Sequence, residues 1–144
     1  MSSFLGIMSD DDIRRFWPDI AISLDSVPRF NEVMTKDFLL EQALAGSVQF
    51  WAAGKDSVVE LFAATKIVDY PSSRALQVVV LVGRNLEAYW HEGLRQLDRI
   101  AQELLCDEIE IETVRPGLAK RLEREADFEV RSIALVKRVE RRIH

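Results

Sequence analysis

The order of apolar and polar residues between Leu76 and Val114 predicts a strand, a long helix and a second strand in direct succession. Leu76 to Val82 is a continuous apolar run rich in β-branched residues, which is typical of a strand covered on both faces. Gly83 ends this run, and the Asn85 side chain is predicted to cap the next helix by accepting a hydrogen bond from a first-turn N–H. The apolar face of that helix consists of Leu86, Trp90, Leu94, Leu97, Ala101 and Leu104.

The second strand of this unit is predicted over Asp107–Val114. Its two faces are Ile109, Ile111 and Thr113 on one side and Glu108, Glu110 and Glu112 on the other. A strand, a helix and a strand in so short a stretch form a βαβ crossover, so we expect parallel strands and a right-handed connection.

Residues 1–34 are predicted to form an N-terminal helical arm. Residues 1–8 are a tail or a partner arm, Ser9 caps a short helix that ends before Pro18, and residues 19–28 are a linker or a loose turn. A helical turn is expected over Phe30–Met34. Thr35 then caps a helix over Lys36–Leu44, which ends at Ala45-Gly46-Ser47 and whose inward residues are Phe38, Leu39, Ala43 and Leu44.

The middle of the chain predicts an antiparallel meander. Strands over Val48–Ala53 and Ser57–Tyr70 are joined by the three residues Gly54-Lys55-Asp56, and the strand from Leu76 follows. Pro116 begins a helix, Phe128–Val136 is the last strand, and residues 137–144 are a charged tail. The sequence therefore predicts one α+β domain with a twisted, mixed antiparallel and parallel sheet flanked by helices.

Composition and charge limit the function classes. The 144 residues carry 19 Lys and Arg against 24 Asp and Glu, a net charge of −5, which argues against general nucleic-acid binding. Cys106 is the single cysteine, so an intrachain disulfide is excluded. No apolar run approaches the roughly 18 residues of a membrane span. We expect a cytoplasmic protein.

The element order from Thr35 to Val139 resembles the GNAT acetyltransferase superfamily. The most telling segment is Arg115 to Phe128, which is similar to the GNAT segment in which a short helix with a tyrosine leads to Gly-Phe and a strand. Residues 47–83 also resemble the degenerate GNAT-like proteins of tailed phages, some of them virion-associated. That likeness implies a location in the host cytoplasm or in a virion.

The resemblance implies where acetyl-CoA would bind. In the family, a loop of the form Gln/Arg-x-x-Gly-x-Gly/Ala between the central strand and the long helix presents backbone N–H groups to the pyrophosphate. The matching residues here are Val82, Gly83, Arg84 and Asn85, followed by Leu86-Glu87-Ala88. Only Gly83 and Arg84 suit a phosphate, and Glu87 places a carboxylate near the anion. The loop is therefore degenerate.

The candidate catalytic residues are Glu60 and Glu123. The family's tyrosine, the general acid for the departing thiolate, falls on Glu123, and the glycine before the aromatic residue is Asp127. Glu60 and the three glutamates of the second strand could act as a general base, although such residues usually form the solvated face of a strand. His91 has no second histidine or cysteine in register, so no metal site is predicted.

Two functions are compatible with these residues. The first is a GNAT-like protein without catalysis that acts by contact with a protein partner, phage-encoded and either virion-associated or directed at host machinery. The second is an active acetyl-CoA-dependent N-acyltransferase that uses Gly83, Arg84 and Asn85 for the pyrophosphate and needs an open cleft between the strand ends at Val82 and Asp107. A homo-oligomer through an exposed sheet edge is compatible with either.

Overall fold

The computed structural model describes residues 3–27, 35–113, 115–135, 137 and 139–140. Within them the strands are β1 (Ser3–Ile7), β2 (Gln49–Lys55), β3 (Val58–Asp69), β4 (Arg74–Gly83) and β5 (Glu108–Ile111). The helices are α1 (Asp10–Leu24), α2 (Lys36–Leu44), α3 (Leu86–Glu103) and α4 (Pro116–Glu125). The fold is α+β with a mixed sheet, as predicted. The helical turn predicted over Phe30–Met34 lies outside the described residues.

The sheet order β1-β2-β3-β4-β5 is the same as the order of the strands along the chain. The first three pairings are antiparallel, and β4 pairs with β5 in parallel, with Ala75 opposite Glu108. The parallel crossover from β4 through α3 to β5 is therefore confirmed. Its right-handed connection stays a prediction. By internal contacts the chain divides into residues 1–112, which hold the sheet and α1 to α3, and residues 113–144, which hold α4.

The N-terminal arm differs from the prediction in two ways. Residues 3–7 are neither a tail nor a free arm, because they form β1 and pair with β2 from Ser3 opposite Lys55 to Ile7 opposite Trp51. In addition, α1 runs through Pro18 to Leu24, so residues 19–24 are helix and not linker.

The continuation of α1 past Pro18 has a packing explanation. Proline in a helix removes one backbone hydrogen bond and costs roughly 3 kcal/mol. Beyond it, however, Ile20 and Leu24 are fully buried in the core, and each such burial is worth about 1.5–3 kcal/mol. The start of the helix follows the prediction, since the Ser9 side chain accepts a hydrogen bond from the Asp12 N–H at 3.2 Å.

The main core lies between the sheet and the first two helices. Phe50 on β2 is its centre, stacked on Trp17 of α1 with ring centroids 6.1 Å apart and edge-on to Phe62 of β3 at 4.9 Å. Helix α2 contributes Leu39 and Ala43. Of the other two predicted inward residues, Leu44 packs against this cluster, whereas Phe38 is about half exposed. No residue of α3 belongs to this cluster. Because alternate residues of a strand face opposite sides of the sheet, α3 covers the face opposite α1 and α2.

The turn between β2 and β3 is shorter than predicted. Only Asp56 and Ser57 connect the strands, and both have positive φ, 50° and 65°. Positive φ at both central residues is the geometry of a type I′ hairpin turn, whose twist suits the flanking strands. Gly54 belongs to β2, where an added Cβ would lie 1.8 Å from the Val58 carbonyl oxygen.

The last predicted strand is not formed in the described residues. Residues 127–135 contain no strand, and Val130, Ile133 and Leu135 are exposed. The prediction rested on β-branched and apolar residues, which favour a strand only where a neighbouring strand completes the backbone hydrogen bonds. The strand predicted to reach Val114 is also shorter, since β5 ends at Ile111.

Helices α2 and α3 end in the same way. In each, the N–H groups of the two residues after the C-cap bond back to the carbonyls of the last turn, the Schellman arrangement. The residue in left-handed conformation is Gly46 after α2, with φ 84°, but Leu105 after α3, with φ 58°. A residue with a side chain is destabilised in this conformation by roughly 1–2 kcal/mol. Leu105 is 77% exposed, so its packing offsets little of this strain.

We therefore predict that Leu105→Gly stabilises the protein. Relief of backbone strain stabilises the folded state, while the greater flexibility of glycine stabilises the unfolded chain. The balance should raise the free energy of unfolding by about 0.5–1 kcal/mol. Urea unfolding followed by circular dichroism measures it. Leu105→Ala is the control, since it removes the same exposed side chain but keeps the Cβ. Equal stability of the two variants would contradict the strain argument.

Candidate functional site

The candidate site is centred on the junction between β4 and α3, which is pinned to the start of β3. Gly83 has φ 131°, and a Cβ there would lie 2.2 Å from the Glu60 carbonyl oxygen. The next residue, Arg84, donates its backbone N–H to that same oxygen at 2.8 Å. Only glycine allows such an approach of two backbones, so residue 83 fixes where the Glu60 side chain meets the helix.

The Glu60 carboxylate lies against the first turn of α3 and is held by three side chains. The Tyr89 hydroxyl donates a hydrogen bond to Oε1 at 2.7 Å, and the Asn85 amide donates to Oε2. The Arg84 Nε lies 3.7 Å from Oε2. The Glu60 side chain is 8% exposed, whereas that of Arg84 is 69% exposed. We call these four residues the Glu60 cluster.

The cluster shifts the titration of its two acidic members in opposite directions. The pKa of Glu60 is lowered, chiefly by the hydrogen bond from Tyr89. Burial opposes this effect, while the hydrogen bond from Asn85 and the charges of Arg84 and Lys55 add to it. Burial, followed by the hydrogen bond to Glu60 and its charge, raises the pKa of Tyr89 to about 12. At neutral pH, Glu60 is therefore a weaker base than an ordinary glutamate, and Tyr89 is a weaker acid than an ordinary tyrosine.

Asn85 does not cap α3 in the predicted way. It occupies the N-cap position, but its φ is 60° and its side chain makes no capping hydrogen bond. The side-chain amide is turned to Glu60 instead. The Asn85 amide donates to the Glu60 carboxylate because an ionised oxygen is a strong acceptor. The N–H groups of the first turn are therefore left without a cap from Asn85.

The loop does not fit the pyrophosphate of acetyl-CoA. If Arg84 begins the Gln/Arg-x-x-Gly-x-Gly/Ala pattern, its two small residues fall on Glu87 and Tyr89. Tyr89 is 7% exposed and occupied with Glu60, while Glu87 lies in the first turn of α3. The junction and the first turn of α3 thus hold two carboxylates, those of Glu60 and Glu87, close to where the family binds an anion, and such a place favours positive charge.

The cleft was predicted between strand ends that are not neighbours. Because β4 and β5 are parallel, Asp107 lies beside Arg74. The Asp107 N–H donates to the Arg74 carbonyl at 2.7 Å, and the Arg74 N–H donates to the Asp107 carboxylate at 2.9 Å. Val82 is eight residues further along β4 than Arg74, roughly 26 Å away at 3.3 Å per residue. The pairing stops at Val78–Ile111, where β5 ends, so β4 from Val79 to Gly83 has no neighbouring strand on that side among the described residues.

The other candidate, Glu123, lies on α4, in the unit formed by residues 113–144. It is exposed on α4, next to an ion pair between Arg121 and Glu125 with an N–O distance of 3.0 Å. Asp127, which stands where the family has glycine, has φ 59°. The backbone thus keeps the left-handed conformation for which glycine is suited, although the residue has changed.

The second-strand glutamates and His91 do not gather into a site with Glu60. Glu110 accepts hydrogen bonds from the Tyr70 hydroxyl and the Gln77 amide, both at 3.1 Å, on the half-buried strand β5. His91 is exposed on α3. In the described part of the chain, no group of three or more His, Cys, Asp or Glu side chains could hold a metal ion.

From the sequence, Tyr89 is a possible proton donor that more plausibly packs beside Trp90, so its contact with Glu60 was not predicted. The available signal was its spacing. Asn85 and Tyr89 are four residues apart, so they share one face of α3 and can reach the same carboxylate. What the sequence lacked was the register that places Glu60 of β3 opposite that face.

Several of the solved structures similar to this chain are acetyltransferases. A ribosomal-protein-alanine N-acetyltransferase from Brucella melitensis is 17% identical, with 96% of this chain and all of that chain covered and a TM-score of 0.64. A GNAT family acetyltransferase from Staphylococcus aureus is 10% identical over 96% and 100% of the two chains, with a TM-score of 0.65. An aminoglycoside acetyltransferase from an uncultured soil metagenomic sample is 9% identical over 96% and 97%, with a TM-score of 0.70.

These similarities show that the chain has the GNAT fold, and at such low identity they show the fold alone. No protein-family model matches the sequence, and no curated protein matches it. Among the described helices, none has the length and apolar character that crossing a membrane requires.

We predict that Tyr89→Phe raises the pKa of Glu60 towards the ordinary value of 4.5, because it removes the largest cause of the lowered pKa. Carboxyl-carbon NMR titration measures this directly. Tyr70→Phe is the control, since Tyr70 also donates its hydroxyl to a glutamate, Glu110, but does not touch Glu60. An unchanged Glu60 pKa in Tyr89→Phe would contradict the assignment.

The same variant has a signature in stability. A lowered folded-state pKa stabilises the protein above the unfolded-state pKa, near 4.5, and that contribution is lost as the pH falls through the folded-state value. The stability advantage of the wild type over Tyr89→Phe should therefore be constant at neutral pH and shrink below pH 4.5.

Proposed function

We propose that this GNAT-fold protein does not catalyse acetyl transfer and acts by contact with a protein partner. The observation that carries the proposal is the Glu60 carboxylate at the β4–α3 junction, where it takes up the donors of Asn85 and Tyr89. The chain thus supplies its own anion beside the position that the family reserves for pyrophosphate. A fold alone decides no function, so this local chemistry has more weight than the structural neighbours.

The chemistry of the two candidate catalytic residues supports the same proposal. Glu60 has a lowered pKa and its two oxygens are engaged, so it is poorly suited to take a proton from an amine at neutral pH. Glu123 is exposed on α4 and puts a carboxyl group where the family has the phenol of a tyrosine as general acid. Neither residue is suited to the role that the resemblance would assign.

The finer parts of the proposal rest on the resemblance to GNAT-like proteins of tailed phages. In that case the partner is a virion component or a host protein, and the chain is found in the virion or in the host cytoplasm. These points stay predictions.

An acetyl-CoA-dependent N-acyltransferase is the second candidate, and one observation favours it. Because β5 ends opposite Val78, the backbone groups of residues 79–83 of β4 have no neighbouring strand on that side in the described chain. A pantetheine arm could use those groups. The carboxylates of Glu60 and Glu87 oppose this function, so the two proposals differ in one measurable property, the affinity for the anion.

Titration calorimetry with acetyl-CoA, and with desulfo-CoA as a second ligand, decides between them. We expect no saturable heat and no thermal stabilisation at millimolar ligand. Saturable binding in the micromolar range, about −8 kcal/mol, would overturn the proposal in favour of the enzyme.

A variant pair tests the physical reason. If the two carboxylates exclude the anion, Glu60→Gln combined with Glu87→Gln should bind inorganic pyrophosphate more tightly than the wild type, by at least about tenfold for two removed charges. Glu92→Gln combined with Glu103→Gln is the matched control, since it removes the same charge from α3 at residues outside the Glu60 cluster and beyond the first turn. Equal gains in both pairs would mean that only net charge matters, and the local argument would fail.

A further inference from the structure

We propose that Gln96 of α3 closes the outer edge of β1, and that two copies of the chain pair through this edge once the contact is removed. The edge is a self-interaction surface that one side chain holds shut. Neither Gln96 nor any residue of β1 belongs to the Glu60 cluster, so this role does not depend on whether acetyl-CoA binds.

The backbone of β1 points away from the sheet at Leu5. The Met8 N–H donates to the Phe50 carbonyl at 2.8 Å, so the hydrogen-bonding groups of Met8 face β2. From there the pairing continues in regular register to Ser3. In an antiparallel pair, successive residues turn these groups alternately towards the partner strand and away from it. Ser3, Leu5 and Ile7 therefore direct their N–H and C=O groups to the outer side.

This edge lacks the features that usually protect a strand edge from pairing. No residue of β1 is charged or a proline, and its register with β2 has no bulge. Phe4 and Ile7 are 37% and 48% exposed. The strand at the other edge of the sheet, β5, carries the two charged residues Glu108 and Glu110. An uncharged, apolar edge is a template for main-chain pairing, so β1 needs another form of protection.

A second copy of β1 is the strand that fits this edge. Two antiparallel β1 strands related by a two-fold axis place Leu5 opposite Leu5 and Ser3 opposite Ile7. Each of these pairs exchanges two hydrogen bonds, so this register uses all the outward backbone groups of β1. Because β1 has no charged side chain, no like charges face each other across the two-fold axis.

Gln96 lies at the centre of that register. Its Nε2 donates a hydrogen bond to the Leu5 carbonyl oxygen at 3.2 Å, so a side-chain amide is placed where a second copy would bring its own N–H. The same nitrogen is 3.4 Å from Glu92 Oε1, and the Arg95 Nε donates to Glu92 Oε2 at 3.1 Å. A carboxylate only accepts hydrogen bonds, so Glu92 orients the amide with its nitrogen, and not its oxygen, at the edge of β1.

Sedimentation velocity of Gln96→Ala over a range of protein concentrations tests the proposal. Two wild-type copies have to break two Gln96–Leu5 hydrogen bonds in order to pair, one in each copy, whereas the variant has none to break. We expect the variant to form a species of twice the 16.5 kDa chain mass, with an association constant at least about tenfold above that of the wild type. Alanine is a better helix former than glutamine, so α3 should be preserved.

Gln102→Ala is the matched control, because it truncates an exposed glutamine of the same helix and should associate no more than the wild type. Hydrogen exchange locates the interface. In the Gln96→Ala dimer, the outward amides of Leu5 and Ile7 should gain protection with concentration, whereas the Gly6 amide, which faces β2, should not change. Equal association of Gln96→Ala and the wild type, equal association of the two alanine variants, or a dimer without new protection at Leu5 overturns the proposal.

Discussion

The contact between the backbones of Gly83 and Glu60 is the constraint on which the candidate site depends. It brings the end of β4 onto the start of β3 so closely that no side chain fits at residue 83. The side chain of Glu60 is thereby delivered to the first turn of α3, where Asn85 and Tyr89 bind it. A backbone approach thus determines the chemistry of the loop, because it makes a carboxylate part of a junction that would otherwise be suited to an anionic ligand.

The local sequence pattern was sufficient to predict the helices and strands whose own residues mark them. The run from Leu76, the helical spacing from Leu86 and the proline at 116 each predicted an element that the structure contains. Thr35 caps α2 as expected, with its hydroxyl accepting from the Phe38 N–H at 3.2 Å. The errors have a common cause. Pro18 lies within a helix and residues 3–7 lie in a strand because of distant packing and pairing partners, which a local pattern does not contain.

The candidate site was predictable in part. The sequence located the loop at residues 82–85 and revealed its missing glycines, since those depend only on order along the chain. It could not reveal that Glu60 faces Tyr89, because 29 residues separate them and only the pairing of β3 with β4 brings them together. Similarly, the cleft was assigned to Val82 and Asp107 because both are element ends, whereas the parallel register places Asp107 at the opposite end of β4.

The agreement between strand order and chain order has a consequence for how the sheet assembles. Each strand pairs with its predecessor, but the connections differ greatly in length, from two residues between β2 and β3 to 41 residues, Met8 to Val48, between β1 and β2. Closing the longer connection in a flexible chain costs roughly 2.5 kcal/mol more than closing the short one. The hairpin of β2 and β3 is therefore the natural nucleus of folding, and β1 joins the sheet later although it precedes both strands in the chain.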